Sequence, residues 1–267
     1  MEKHVFYFTG GLPRAGSTLL QNVLAQNPRF HATHTSGCMD VMFGVRNNWD
    51  NLIEHKAHPN PQGLQRVLRA ILDAYYADVD KPVIVDKCRG WTSLIEMAEF
   101  ALGRPVKILV PVRDLRDVLA SFEKLWRKQA HRGQTPNDSQ RYFDFQTAGG
   151  RCRVWAEKNQ PIGLASNRIK DALQRGFRDR MHFVHYEKLT SAPAETLDAI
   201  YDFLGEERYT RHNFTHVKQV TREDDTVHGF KDLHKIRTQI APQDPQWPAI
   251  LGEAATPYAQ ENFWAHL

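Results

Sequence analysis

Residues 5–20 run from an apolar stretch, Val5-Phe6-Tyr7-Phe8, through the turn Thr9-Gly10-Gly11-Leu12-Pro13-Arg14-Ala15-Gly16 into the helix-forming run Ser17-Thr18-Leu19-Leu20. A buried strand that feeds a helix through a glycine-punctuated turn points the chain toward an α/β architecture and aims backbone N–H groups at a common anion. From Gly11 the spacing matches the Gly-x-x-x-x-Gly part of a Walker A loop, but Ser17 stands where an ATP-binding loop carries its lysine. Arg14 is the nearest cation. The turn therefore predicts phosphate recognition more firmly than ATP hydrolysis, with successive N–H groups and the Ser17 and Thr18 hydroxyls on the phosphate oxygens and Arg14 adding charge from another side.

The same grammar recurs downstream. Pro82-Val83-Ile84-Val85-Asp86 reads as a short buried strand followed by Lys87-Cys88-Arg89-Gly90 and a helix over 91–102. The apolar run 106–110 precedes Pro111-Val112-Arg113-Asp114 and a helix reaching Trp126. A further strand is expected over 181–186, with helices over 17–26, 64–76, 151–159, 161–173 and 190–204 and a terminal helix over 258–267. Strands that alternate with helices imply a mostly parallel sheet flanked by helices, and the expected class is a P-loop nucleotide-binding α/β fold. The polar segment 31–40, with His34 and Asp40, reads as a loop fit to border a reactive site.

At 267 residues the chain reads as one domain spanning 1–267, with room for substrate-binding excursions at 31–63 and 127–150. A formal charge of +4 favours an anionic ligand and is too mild to require a nucleic-acid partner. Cys38, Cys88 and Cys152 are odd in number and lack metal-type spacing, which points to free thiols in a reducing, cytoplasmic setting. No secretory leader is recognisable, and no apolar run approaches the roughly 20 residues a membrane helix needs, so no membrane insertion is expected. The histidines form no metal site by linear spacing. Assembly is undetermined by the sequence, and a homo-oligomer stays open.

Taken together, these motifs resemble the sulfotransferase family that uses 3′-phosphoadenosine 5′-phosphosulfate (PAPS). Gly11-Leu12-Pro13-Arg14-Ala15-Gly16-Ser17-Thr18 is similar to that family's 5′-phosphosulfate loop, and the resemblance places Arg14 near the bridging oxygen and the transferring sulfuryl group. Arg113 and Ser121, eight residues apart, resemble the family's pair for the donor's 3′-phosphate; a guanidinium fork and a helix hydroxyl suit that oxygen shell. Tyr186, in Val184-His185-Tyr186-Glu187-Lys188-Leu189, matches a tyrosine that contacts the adenine region. Lys87 lies where relatives carry a lysine near the reacting centre, suited to stabilising negative charge. The resemblance implies sulfuryl transfer from PAPS to an acceptor hydroxyl on a small molecule, carbohydrate or peptide, with adenosine 3′,5′-bisphosphate (PAP) as product and no required metal.

Three departures stand out. Leu19 replaces the adenine-stacking tryptophan of many relatives. Arg89 occupies the place of the catalytic histidine of many small-molecule sulfotransferases and is no neutral proton acceptor. The late turn Asp224-Asp225-Thr226-Val227-His228-Gly229-Phe230 lacks the familiar Arg-Lys-Gly-rich ending, though it could close over the nucleotide or acceptor. His34 is the leading base candidate and Asp40 the alternative. Two other readings stay open at this level: an ATP-dependent P-loop phosphotransferase, and an inactive nucleotide-binding interaction module.

Overall fold

A computed structural model describes residues 3–130, 141–228 and 231–267. Five parallel strands, β1 (Val5–Thr9), β2 (Phe30–Thr35), β3 (Val83–Lys87), β4 (Ile108–Val112) and β5 (Met181–His185), form one sheet in the order β2-β3-β1-β4-β5. The helices are α1 (Ser17–Leu24), α2 (Cys38–Asn51), α3 (Ile53–Ala57), α4 (Pro61–Tyr75), α5 (Ile95–Leu102) and α6 (Leu115–Ala130). They continue with α7 (Ala148–Ala156), α8 (Pro161–Gln174), α9 (Tyr186–Ser191), α10 (Pro193–Leu204) and α11 (Trp247–Leu251). Among the described residues no helix is long and apolar enough to cross a membrane.

Every residue of β3 and β4 is buried, because helices cover both sheet faces; the apolar positions pack on both sides, and Asp86 and Lys87 at the end of β3 are buried with hydrogen-bond partners. On β1, Phe6 and Phe8 enter one core with Trp91, Ile108, Val110 and the α4 leucines. Tyr7, between them, enters the other with Leu20, Val23 and the α10 residues Leu197, Ile200 and Leu204. The chain leaves β1 toward β2 and β3, then returns past β1 to β4 and β5. That reversal opens a crevice at the carboxyl ends of β1 and β4, where ligands bind in open parallel sheets.

Pro111 lies inside a central strand, a place proline normally avoids. It fits because the β1–β4 ladder ends at the pair Thr9↔Leu109, and the proline nitrogen faces Gly11 of the turn, past the last pairing. Gly11 has φ 91°, and a Cβ there would lie 2.4 Å from the Pro111 carbonyl oxygen. Only glycine satisfies both the backbone angle and that approach.

The parallel sheet agrees with expectation, but the assignment to a P-loop nucleotide-binding fold is corrected. Ser17 opens α1 where the P-loop lysine would stand, and the lysine that touches the first turn of α1 comes from another strand: Lys87, the last residue of β3, reaches Thr18 Oγ1 at 3.3 Å. Of the segment 31–40, expected as loop, residues 31–35 belong to the edge strand β2, anchored by buried Phe30 and Ala32. The helix expected over 91–102 divides into a 3-10 turn, Arg89–Ser93, and α5. The expected terminal helix is instead two 3-10 segments, Gly252–Tyr258 and Phe263–His266. Of the expected excursion at 127–150, residues 131–140 lie outside the described residues.

Candidate active site

The β1–α1 turn, the β3 end, the start of α6 and the late segment 233–246 enclose a cavity of about 540 Å³ at the carboxyl end of the sheet. Its lining includes Arg14, Ser17, Thr18, Arg113, Ser121 and Tyr186. The sequence motifs, spread over some 170 residues, thus meet in one place because each follows a parallel strand. Gly11, Leu12 and Ala15 support the turn from below: Leu12 N–H donates to Pro111 O at 2.9 Å, and Leu12 and Ala15 are buried. Pro13 and Gly16 line the cavity. Gly16, at φ 85°, caps α1 in the left-handed region, and a Cβ there would meet the Tyr186 ring at 2.7 Å.

Arg14 also has positive φ, 59°, uncommon for a residue with a side chain. Its Nε donates to Ser121 Oγ at 3.0 Å, and its guanidinium also donates to the Leu233 carbonyl. Arg113 lies over the Tyr186 ring at 4.4 Å and donates to Asp117 Oδ2 at 3.4 Å. Its Nε is buried with no hydrogen-bond partner among the described residues. Burial, and then the neighbouring Arg113 charge, lower the Arg14 pKa. Two guanidinium groups and a serine hydroxyl, one donor still unsatisfied, make a set that an anion would complete.

At the other end, buried Lys87 donates from Nζ to Glu223 Oε1 at 3.2 Å as well as to Thr18. Glu223 also accepts from Thr35 N–H at 2.9 Å and Thr35 Oγ1 at 3.1 Å. Burial pushes the Glu223 carboxyl up, but the Lys87 charge, the Thr35 N–H and His234 prevail and hold it down at about 2. Beside it, His234 Nδ1 sits 2.6 Å from Asp225 Oδ1. Burial, followed by Lys87, lowers the His234 pKa against the opposing pull of Asp225 and Glu223.

These late residues reach the cavity because Asn22 of α1 clasps them. Its Oδ1 accepts from Val220 N–H at 2.6 Å and Thr221 N–H at 3.0 Å, while Nδ2 donates to Thr221 Oγ1 at 2.7 Å. Gln219 then ties the two arms of the segment together, donating to His234 O at 2.9 Å and accepting from Ile236 N–H at 3.2 Å. Sequence reasoning missed Glu223 and His234; the sole signal was the polar turn that includes Asp225.

The structure does not bring His34 or Asp40 into this cavity. His34 is exposed near the end of β2, with Nδ1 2.7 Å from Thr35 O, and faces a separate cavity bordered by Tyr75, Tyr76 and Lys81. Asp40 is exposed in the first turn of α2. Leu19 lines the cavity at the carboxyl end of the sheet, together with the aromatic rings of Phe122 and Tyr186.

The Glu223 carboxyl gives a pH prediction. Its folded pKa is depressed from 4.5, so the stability it contributes is complete above about 4.5 and is lost as pH falls through about 2. Urea unfolding of the Glu223→Gln variant should therefore lack part of the wild-type decline between those values. Parallel acid limbs in the two proteins would count against this coupling.

A family model described as "Sulfotransferase family" matches residues 7–211, more than three quarters of the chain. The chain belongs to the sulfotransferase family. The enzyme moves a sulfuryl group from PAPS to an acceptor hydroxyl and releases PAP. Among solved structures, the sulfotransferase is similar to a sulfotransferase domain from the curacin biosynthetic pathway at 17% identity and TM-score 0.50, covering 97% of this chain and 91% of that one. It is also similar to a retinol dehydratase solved with androsterone and the inactive cofactor PAP, at 14% identity and TM-score 0.52, covering 96% and 78%. No curated protein matches the sulfotransferase at a significant level. These likenesses establish the sulfotransferase α/β fold and overturn the P-loop nucleotide-binding assignment.

Proposed function

We propose that the cavity holds PAPS between the Gly11–Thr18 turn at its 5′ end and Arg113 and Ser121 at its 3′-phosphate, with Arg14 bridging the two. The observation that carries this reading is the buried, unpartnered Arg113 Nε beside Ser121 and Arg14, a donor set lacking only its anion. Tyr186, already packed on Gly16 and under Arg113, borders the base, and its ring supplies an apolar face there. When bound, the donor supplies the activated sulfuryl group and a bisphosphate leaving group. Lys87, held against Thr18, stabilises the charge that grows on the leaving phosphate.

His234 takes the acceptor proton. Asp225 orients the imidazole through Nδ1, and the lowered pKa keeps the ring neutral near pH 7, the form that accepts a proton. Glu223 is the counter-ion of Lys87, since three donors already occupy its carboxylate oxygen and hold it ionised. The acceptor is a hydroxyl compound approaching the Lys87 end, and the whole chain acts as one sulfotransferase domain. The three cysteines are buried free thiols, which supports a cytoplasmic setting.

Titration calorimetry with PAP, PAPS and ATP tests the donor assignment. The 3′-phosphorylated pair should bind well ahead of ATP, and Arg113→Ala should weaken PAP by about 30-fold or more, the size expected for losing a charged hydrogen-bond pair. Undiminished PAP binding by Arg113→Ala would remove its assigned role. For the base, His234→Asn should lower kcat by roughly 100-fold while PAP binding stays within a few-fold. A wild-type kcat in that variant would return the search to other groups.

A further inference from the structure

Arg89 is a cation of the cavity lining that the donor reading does not use. Cys88 is extended, with φ −150° and ψ 129°, so Lys87 and Arg89 project to the same side of the chain. Lys87 is buried against Glu223, whereas Arg89 is exposed and lines the cavity. The turn that begins at Arg89 packs against α8, whose first residue, Pro161, also lines the cavity. Arg175, just past the end of α8, fastens that contact through Thr92 O at 3.3 Å and Ser93 O at 3.4 Å.

Among the described residues the Arg89 guanidinium has no hydrogen-bond or ion-pair partner. Glu223, whose charge also acts on Arg89, is hydrogen-bonded to Lys87 and Thr35. A guanidinium at the cavity wall whose donors no protein acceptor takes up is free to pair with a bound anion. The 3′-phosphate subsite has its own two arginines, and the 5′ turn has its N–H groups, two hydroxyls and Lys87.

Resting on the sulfuryl-transfer reading above, we infer that Arg89 recognises an anionic group on the acceptor, so that the substrate is a hydroxy acid. The planar fork suits a carboxylate, and a phosphate ester would meet the same chemistry. Arg89 then serves specificity and does not touch the transferring group.

The experiment compares 4-hydroxyphenylacetate and 4-hydroxybenzyl phosphate with neutral 4-methylphenol, using full-length wild-type protein and Arg89→Ala. Sulfation rates and calorimetric binding to the PAP-loaded protein are both read. The expected result is about tenfold or greater preference for an anionic compound in the wild type. Arg89→Ala should lose that preference, keep its activity toward 4-methylphenol and bind PAP within about threefold of wild type. Preference shared by both anions marks the charge itself, whereas preference for one names the group. Equal binding of charged and neutral compounds by the wild type overturns the inference. So does a fall in PAP affinity that matches the loss in acceptor preference, which would assign Arg89 to the donor. Failure of wild-type protein to bind PAP at all would refute the donor reading itself, and this inference with it. Binding to the PAP-loaded protein decides the question even if none of the three compounds is sulfated.

Discussion

Glu123→Ala is expected to destabilise the enzyme by about 3–5 kcal/mol, the usual consequence of removing one partner from a buried ion pair. The Glu123 side chain is fully buried in α6 and receives three charged hydrogen bonds, from Arg151 at 2.6 and 2.7 Å and from Arg127 at 2.7 Å. Burial pushes its carboxyl up, but the two arginines prevail and lower the pKa. Without Glu123, buried Arg151 retains Phe145 O at 2.6 Å and its place over the Trp126 ring at 3.8 Å, but loses its counter-charge. The check is the urea midpoint at neutral pH, alongside Glu123→Leu combined with Arg151→Met. The double variant removes both charges and should recover much of the loss. An unchanged midpoint in Glu123→Ala would contradict the buried pair.

The second large effect concerns turnover. Lys87→Met should cut kcat by about 10²–10³, the range seen when one preorganised charge-stabilising donor is deleted. PAP affinity should change far less, because the turn and the Arg113 group remain. The substitution also strands Glu223, so the variant is to be paired with Lys87→Met/Glu223→Gln, which removes the unpaired carboxylate and separates folding from chemistry. If that pair folds like the wild type and retains its kcat, Lys87 has no role at the reacting centre.

That the polar turns after β1, β3, β4 and β5 would meet at one edge of a parallel sheet was legible in the sequence for a physical reason. A parallel sheet presents the ends of all its strands on one edge, so each strand–turn–helix unit found along the chain delivers its polar turn to a common crevice. Gly11–Thr18, Lys87, Arg113 and Tyr186 each sit at such an end. The Glu223 and His234 side of the cavity was not legible, because residues 217–228 and 231–240 hold little regular structure and no hydrophobic period announces them. Glu223 reaches Lys87 across 136 positions, through the Asn22 clasp. Likewise Glu123 and Arg151 meet across 28 positions that include the residues outside the description. β2 was missed because its alternating His and Thr residues read as a polar loop, while its buried Phe30 and Ala32 are too few to announce an edge strand.

The contact between Gly11 and Pro111 has a metrological consequence. The turn that meets the 5′ end and the strand that carries Arg113 are keyed together with no spare volume, next to a ladder whose strand spacing is about 4.8 Å. In the proposed mode the two phosphate subsites therefore work like the fixed jaws of a gauge. A nucleotide is sized by the separation of its two anionic ends before any acceptor is present, and one with its second phosphate displaced to the 2′ position would be rejected by span, not by charge.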